Sequence, residues 1–172
     1  LAEYSAQAKQ ALRAKKFDDA KAVYRRIIAE YSGTATATQA EADLKKTRIA
    51  EFKYVAQVAL QEKRFEDAKK AYRALIAAYP DDAAARWAKG ELQKIVPVAV
   101  TYYRAEGDKH FHPEAPGQMG VPQTKATVFY EKMYREDPDG PQSSYALYKW
   151  SESLGTEGKV QQGVRQLKEW LK

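Results

Sequence analysis

Residues 17–31 read FDDAKAVYRRIIAEY, and residues 65–79 read FEDAKKAYRALIAAY. Phe17, Ala20, Tyr24, Ile27, Ile28 and Tyr31 recur at spacings of three and four, which draws one apolar stripe along a helix. The second stretch repeats it with Phe65, Ala68, Tyr72, Leu75, Ile76 and Tyr79. Extended backwards, Glu3–Tyr31 returns as Glu51–Tyr79 with a period of 48, and 14 of the 29 aligned positions are identical. Ala8/Ala56, Ala11/Ala59 and Leu12/Leu60 are among them. A fixed period of this kind marks an array in which neighbouring units bury one another's apolar faces.

The helical period runs through the whole chain, and no segment alternates as a strand would. The expected helices are 2–15, 17–31, 35–63, 65–79, 82–110, 123–136, 142–154 and 157–171. Ser32-Gly33-Thr34 and Pro80-Asp81-Asp82 each combine a stop with a following N-cap. Pro97 is expected to kink or split the helix that contains it. Phe111–Pro122 holds three prolines and two glycines and reads as an irregular loop.

Composition sets further bounds. The 172 residues hold no cysteine, which excludes disulfides, thiolate metal sites and cysteine nucleophiles. No apolar run approaches the ~20 residues of a membrane-spanning helix. The net charge of +6 lies in the first hundred residues, with 19 Lys/Arg against 13 Asp/Glu, whereas residues 101–172 carry 10 of each. Part of this excess is helix-terminal: Lys15-Lys16 and Lys63-Arg64 end helices that Asp18-Asp19 and Glu66-Asp67 then open, which complements the helix dipole. The remainder could steer an acidic partner. Nucleic acid is not expected, because the aromatics lie on the packing stripe rather than interleaved with exposed cations. The chain begins with Leu1 and shows no signal peptide. A processed periplasmic or otherwise extracytoplasmic protein is expected, with a cytoplasmic one as the alternative.

The block Ile49–Asp82 resembles a tetratricopeptide repeat: Phe52, Val55-Ala56, Ala59, Phe65, Ala68, Tyr72, Leu75 and Pro80 match the family's pattern in type and spacing. Leu1–Thr34 matches with Tyr4, Ala8, Ala11, Phe17, Ala20, Tyr24 and Ile27, and Ser32 replaces the terminating proline. A later copy is recognisable in 144–172 through Leu147, Trp150-Ser151, Leu154, Gly158, Val160, Gly163, Leu167 and Trp170. A half-copy lies in 124–138. The resemblance implies an all-α, right-handed solenoid of antiparallel helix pairs. The departure is the period, since the family repeats every 34 residues. The additional 14 read as helix and lengthen the helix between repeats. The expected organisation is one domain: repeat 1 (1–34), extension (35–48), repeat 2 (49–82), extension (83–110), loop (111–122), half-repeat (123–138) and last repeat (142–172). Lengthened repeats of this style, and the phrase Tyr130–Trp150, are similar to bacterial envelope proteins of the Tol-Pal coordinator and barrel-assembly lipoprotein type.

No nucleotide loop, nucleophile elbow or zinc-protease helix is present, so neither catalysis nor a cofactor is expected. His110 and His112 are the only histidines. Two imidazoles two positions apart in a proline-rich loop make a poorly preorganised metal site, and packing or solvation is the expected role. The resemblance implies binding on the concave face, lined by the first helix of each pair. One turn off the packing stripe, that face holds Ser5, Lys9, Leu12 and Arg13, then Lys53, Gln57, Leu60 and Gln61, then Tyr145, Tyr148 and Glu152. This lining suits a peptide or partner helix carrying acidic and apolar groups; the alternative is that Leu12 and Leu60 pack and the lysines are solvated. The family's carboxylate clamp requires asparagines that are missing here. The expected function is a non-catalytic adaptor that holds a protein partner. The alternative is a structural subunit built permanently into a larger envelope or redox assembly. The sequence leaves the oligomeric state open.

Overall fold

A computed structural model describes residues 2–111 and 124–170. Among them are eight helices and no strand: α1 (Ala2–Arg13), α2 (Phe17–Glu30), α3 (Ala35–Gln61), α4 (Phe65–Ala78), α5 (Ala83–His110), α6 (Thr124–Glu136), α7 (Ser143–Thr156) and α8 (Val160–Trp170). The expected all-α fold of stacked helix pairs is the one observed. The irregular loop, apart from Phe111, lies outside the described residues, as does His112.

The predicted stops work as caps. Thr34 Oγ1 accepts a hydrogen bond from the Ala37 amide at 3.3 Å at the start of α3. Asp82 Oδ1 accepts from the Ala84 amide at 2.8 Å. Each side-chain oxygen satisfies an amide that the helix itself leaves without a partner. Pro97 does not split α5, which runs through it. Ile95, Ala99, Val100 and Tyr103 are buried on either side, and Thr101 Oγ1 donates to the Pro97 carbonyl at 2.8 Å. Burial of the flanking turns maintains the helix where the proline removes a hydrogen bond.

Three helices end in the same turn. Lys15 (φ 58°), Lys63 (φ 59°) and Gly158 (φ 74°) are left-handed. The next amide in each case reaches back five residues: Lys16 to Ala11 (2.9 Å), Arg64 to Ala59 (2.8 Å) and Lys159 to Leu154 (2.9 Å). This is the Schellman closure. It reverses the chain within three residues, so Phe17 and Phe65 can begin the next helix already buried.

The chain forms two compact units, Leu1–Leu92 and Gln93–Lys172. In the first, the long α3 has α2 and α4 as neighbours. Phe17 meets Tyr54 (ring centroids 5.6 Å apart), Lys21 pairs with Glu51 (2.7 Å), and Ile27 packs in one cluster with Ala40. The far end of α4 is held to the middle of α3. Lys45 lies 2.7 Å from Asp82 and 5.6 Å from the Tyr79 ring centre. α2 and α4 are therefore offset along one 27-residue helix, about 40 Å long. The offset is the physical content of the 14 additional residues.

Small residues let the helices approach: Ala8, Ala20, Ala56, Ala59 and Ala68 are fully buried, as is Leu75, and Phe65 nearly so. In the second unit Ala126, Tyr130, Leu147, Trp150 and Leu154 form the core, with Phe111, Tyr134, Tyr145 and Leu167 against it.

Candidate functional site

The face read from the sequence divides by residue. On α1, Ser5 is half-buried, Lys9 and Arg13 are exposed, and Leu12 packs against the cluster of Ala8, Tyr24 and Ile27. Among the described residues neither Lys9 nor Arg13 has an ion-pair partner. On α3, Gln57 and Gln61 are exposed and Leu60 is half-buried. Lys53 lies over the Trp87 ring, its ammonium 4.2 Å from the centroid.

Ser5 opens onto a cavity of about 320 Å³ between α1, α2 and the N-terminal part of α3. Tyr24, Ile27, Ala35 and Ala40 form its apolar walls, and Ser5, Thr36, Gln39 and Asp43 its polar rim. Asp43 accepts from Gln39 Nε2 (3.2 Å) and Lys46 Nζ (3.3 Å). Burial raises the Tyr24 hydroxyl pKa, and the charge of Asp43 adds to the effect.

The 48-residue register assigns each of these positions a counterpart in the second repeat. Tyr24, Ile27, Ala35 and Ala40 become Tyr72, Leu75, Ala83 and Ala88, and Asp43 becomes Glu91. The Tyr72 hydroxyl is likewise raised by burial and then by Glu91. Three exchanges alter the space: Gln39 becomes Trp87, Ser5 becomes Lys53 and Thr36 becomes Ala84. The Trp87 ring meets the Tyr72 ring edge-on at 5.5 Å, beneath the Lys53 ammonium. Both tyrosines are buried, at 8% for Tyr24 and 3% for Tyr72, and the Trp87 indole lies against Tyr72 while remaining 39% exposed.

In the second unit, Asp108 joins three helices. Its Oδ1 accepts from the Tyr130 hydroxyl (2.9 Å) and the Tyr145 hydroxyl (2.5 Å). The Arg104 guanidinium lies 4.5 Å from the centre of the Tyr145 ring. Burial raises both tyrosine pKa values, and the hydrogen bonds to Asp108 raise them further. Tyr145 is thus engaged in holding α5, α6 and α7 together. Tyr148 is 56% exposed, and Glu152 accepts from Lys149 at 2.9 Å.

His110 stacks on Phe129 with ring centroids 6.0 Å apart and planes 8° from parallel, and its Nε2 lies 3.7 Å from Glu106. Among the described residues no group of three or more His, Asp or Glu is arranged to hold a metal ion. None of the described helices is long and apolar enough to cross a membrane.

The sequence reading missed Thr36, Gln39, Asp43 and Trp87 as parts of a site, and Asp108 as a joint. Continuing the repeat register past Tyr31 would have exposed the Gln39/Trp87 exchange.

No curated protein matches the sequence. Residues 5–34 and 54–82, together 59 of 172, match the family model of the tetratricopeptide repeat. The stretch between them is the N-terminal part of α3, where the lengthening was read. Both matched segments lie in the repeated half of the chain, and the family they resemble in general mediates protein–protein interaction.

Proposed function

We propose that the chain is a non-catalytic adaptor that binds a segment of a partner protein on the face presented by the first helix of each repeat. The observation that supports this is the open cavity beside Ser5, one helical turn from Lys9 and two from Arg13, which have no ion-pair partner among the described residues. An apolar floor flanked by free cations suits a segment that carries both acidic and apolar side chains. The lengthened helices and the phrase Tyr130–Trp150 support placing it with the bacterial envelope type of repeat protein. Cell fractionation that finds the native protein only in the cytoplasm would remove that assignment.

Selection of displayed peptides against the full chain tests the adaptor reading. Peptides enriched in acidic and apolar residues, which compete with one another and weaken in Lys9→Glu, are the expected result. Failure to enrich any peptide, or binding lost only on changing Arg25 and Arg73 of α2 and α4, would contradict it.

A further inference from the structure

We propose that the cavity of the first repeat is a receptor slot for one tryptophan-type side chain of the partner, set against Tyr24 as the partly exposed Trp87 is set against Tyr72 in the second repeat. The inference rests on the adaptor reading and specifies what the bound segment must carry.

Two copies of one packing unit stand side by side in the sequence, and their walls correspond. Tyrosine at 24 and 72, a branched aliphatic at 27 and 75, alanines at 35, 40, 83 and 88, and an acid at 43 and 91 occupy the same register. In the second copy an indole lies edge-on against the tyrosine. In the first copy the residue at that position is Gln39, which is exposed and hydrogen-bonded to Asp43 at the rim. The space of about 320 Å³ is at the lower limit of ligand pockets, suited to one large side chain rather than a whole small molecule.

The chemistry of the walls selects the occupant. The Tyr24 ring offers the same contact that Tyr72 makes with Trp87, and edge-to-face packing of this kind adds to simple burial. Ile27, Ala35 and Ala40 supply aliphatic contact. The Asp43 carboxylate at the rim can accept the indole N–H, which a leucine or phenylalanine cannot offer. Acidic residues flanking the tryptophan would meet Lys9 and Arg13. The preferred segment is therefore an aromatic residue between acids.

The test needs no partner. N-acetyl-tryptophanamide is titrated into the full-length, isotope-labelled protein while backbone amide shifts are followed. Saturable shifts at Ser5, Gln39, Ala40 and Asp43 are expected, with a dissociation constant of the order of millimolar for so small a probe. N-acetyl-leucinamide should bind about tenfold more weakly. Gln39→Trp should abolish the shifts by filling the slot internally. If that variant does not fold, Ser5→Tyr reaches the same space from α1. Trp87→Gln should create a second set of shifts around Tyr72.

Absence of saturable shifts, equal binding of the leucine amide, or shifts that persist in a folded Gln39→Trp protein would overturn the slot. Displayed peptides that bind Gln39→Trp as tightly as the wild type would also overturn it while leaving the adaptor reading standing. Specific binding of the tryptophan amide in the absence of any selectable peptide would support the slot and contradict the adaptor.

Discussion

Gly107 of α5 lies directly against the Tyr130 ring: a Cβ at this position would stand 2.6 Å from Tyr130 Cε1. The ring is fully buried, and its hydroxyl is fixed by Asp108 on the same turn of α5. It therefore has little room to retreat. Gly107→Ala should destabilise the second unit by about 1–3 kcal/mol, the usual cost of overfilling a packed core. Denaturant titration monitored by tryptophan fluorescence checks this. The alternative outcome is a gain from the higher helix propensity of alanine, which would show that the ring moves freely.

The tyrosines of this cluster predict alkaline sensitivity. Tyr130 and Tyr145 have pKa values raised above the ordinary 10.0. The unfolded chain ionises first, so it releases protons that the folded chain retains. Stability from these groups is fully present below about pH 10 and declines as pH rises beyond it. Tyr130→Phe should flatten that decline while costing about 0.5–1.5 kcal/mol at neutral pH through the lost hydrogen bond. Stability measured by denaturant from pH 8 upwards separates the two effects.

Lys15 and Lys63 adopt the left-handed conformation that Gly158 adopts in the third turn of the same type. The conformation costs a residue with a Cβ about 1–2 kcal/mol, part of which glycine returns through its greater freedom when unfolded. Lys15→Gly and Lys63→Gly should each stabilise the first unit by about 0.5–1 kcal/mol. Gly158→Ala should destabilise by about 1–2 kcal/mol. Thermal unfolding of the three variants checks the signs. Lys15 loses part of its gain because its ammonium lies 5.5 Å from the Tyr54 ring centre.

Pro97 occupies an unbroken helix. Pro97→Ala restores an amide donor and removes the ring's clash with the preceding turn, and should stabilise the protein by up to about 3 kcal/mol. Amide exchange across 93–101 would slow correspondingly. Unchanged stability would mean that the helix has already relaxed around the proline.

The fold was readable because the same solution is written twice. Phe17/Phe65, Tyr24/Tyr72 and Ala20/Ala68 mark the buried stripe, and Thr34 and Asp82 mark helix starts by a local hydrogen bond. Such signals depend on neighbours within a few residues. The cavity depends instead on one exchange, Gln39 for Trp87, within the stretch that simple periodicity passes as plain helix. Asp108 was not readable at all. A lone acid on a charged helix gains its role only when α6 and α7 bring two hydroxyls to one oxygen. For the same reason Tyr145, read as lining the binding face, is found half-buried with its hydroxyl bonded to Asp108.

The central claim is that the first-helix face of the repeats binds a partner segment. Calorimetric titration of an acidic, tryptophan-bearing display-selected peptide into the wild type and into Lys9→Glu/Gln57→Glu tests it most directly. Both substituted positions are exposed, so folding should be unaffected. The account predicts at least about a tenfold loss of affinity, some 1.4 kcal/mol, with the melting temperature unchanged. Undiminished affinity in the double variant would contradict it.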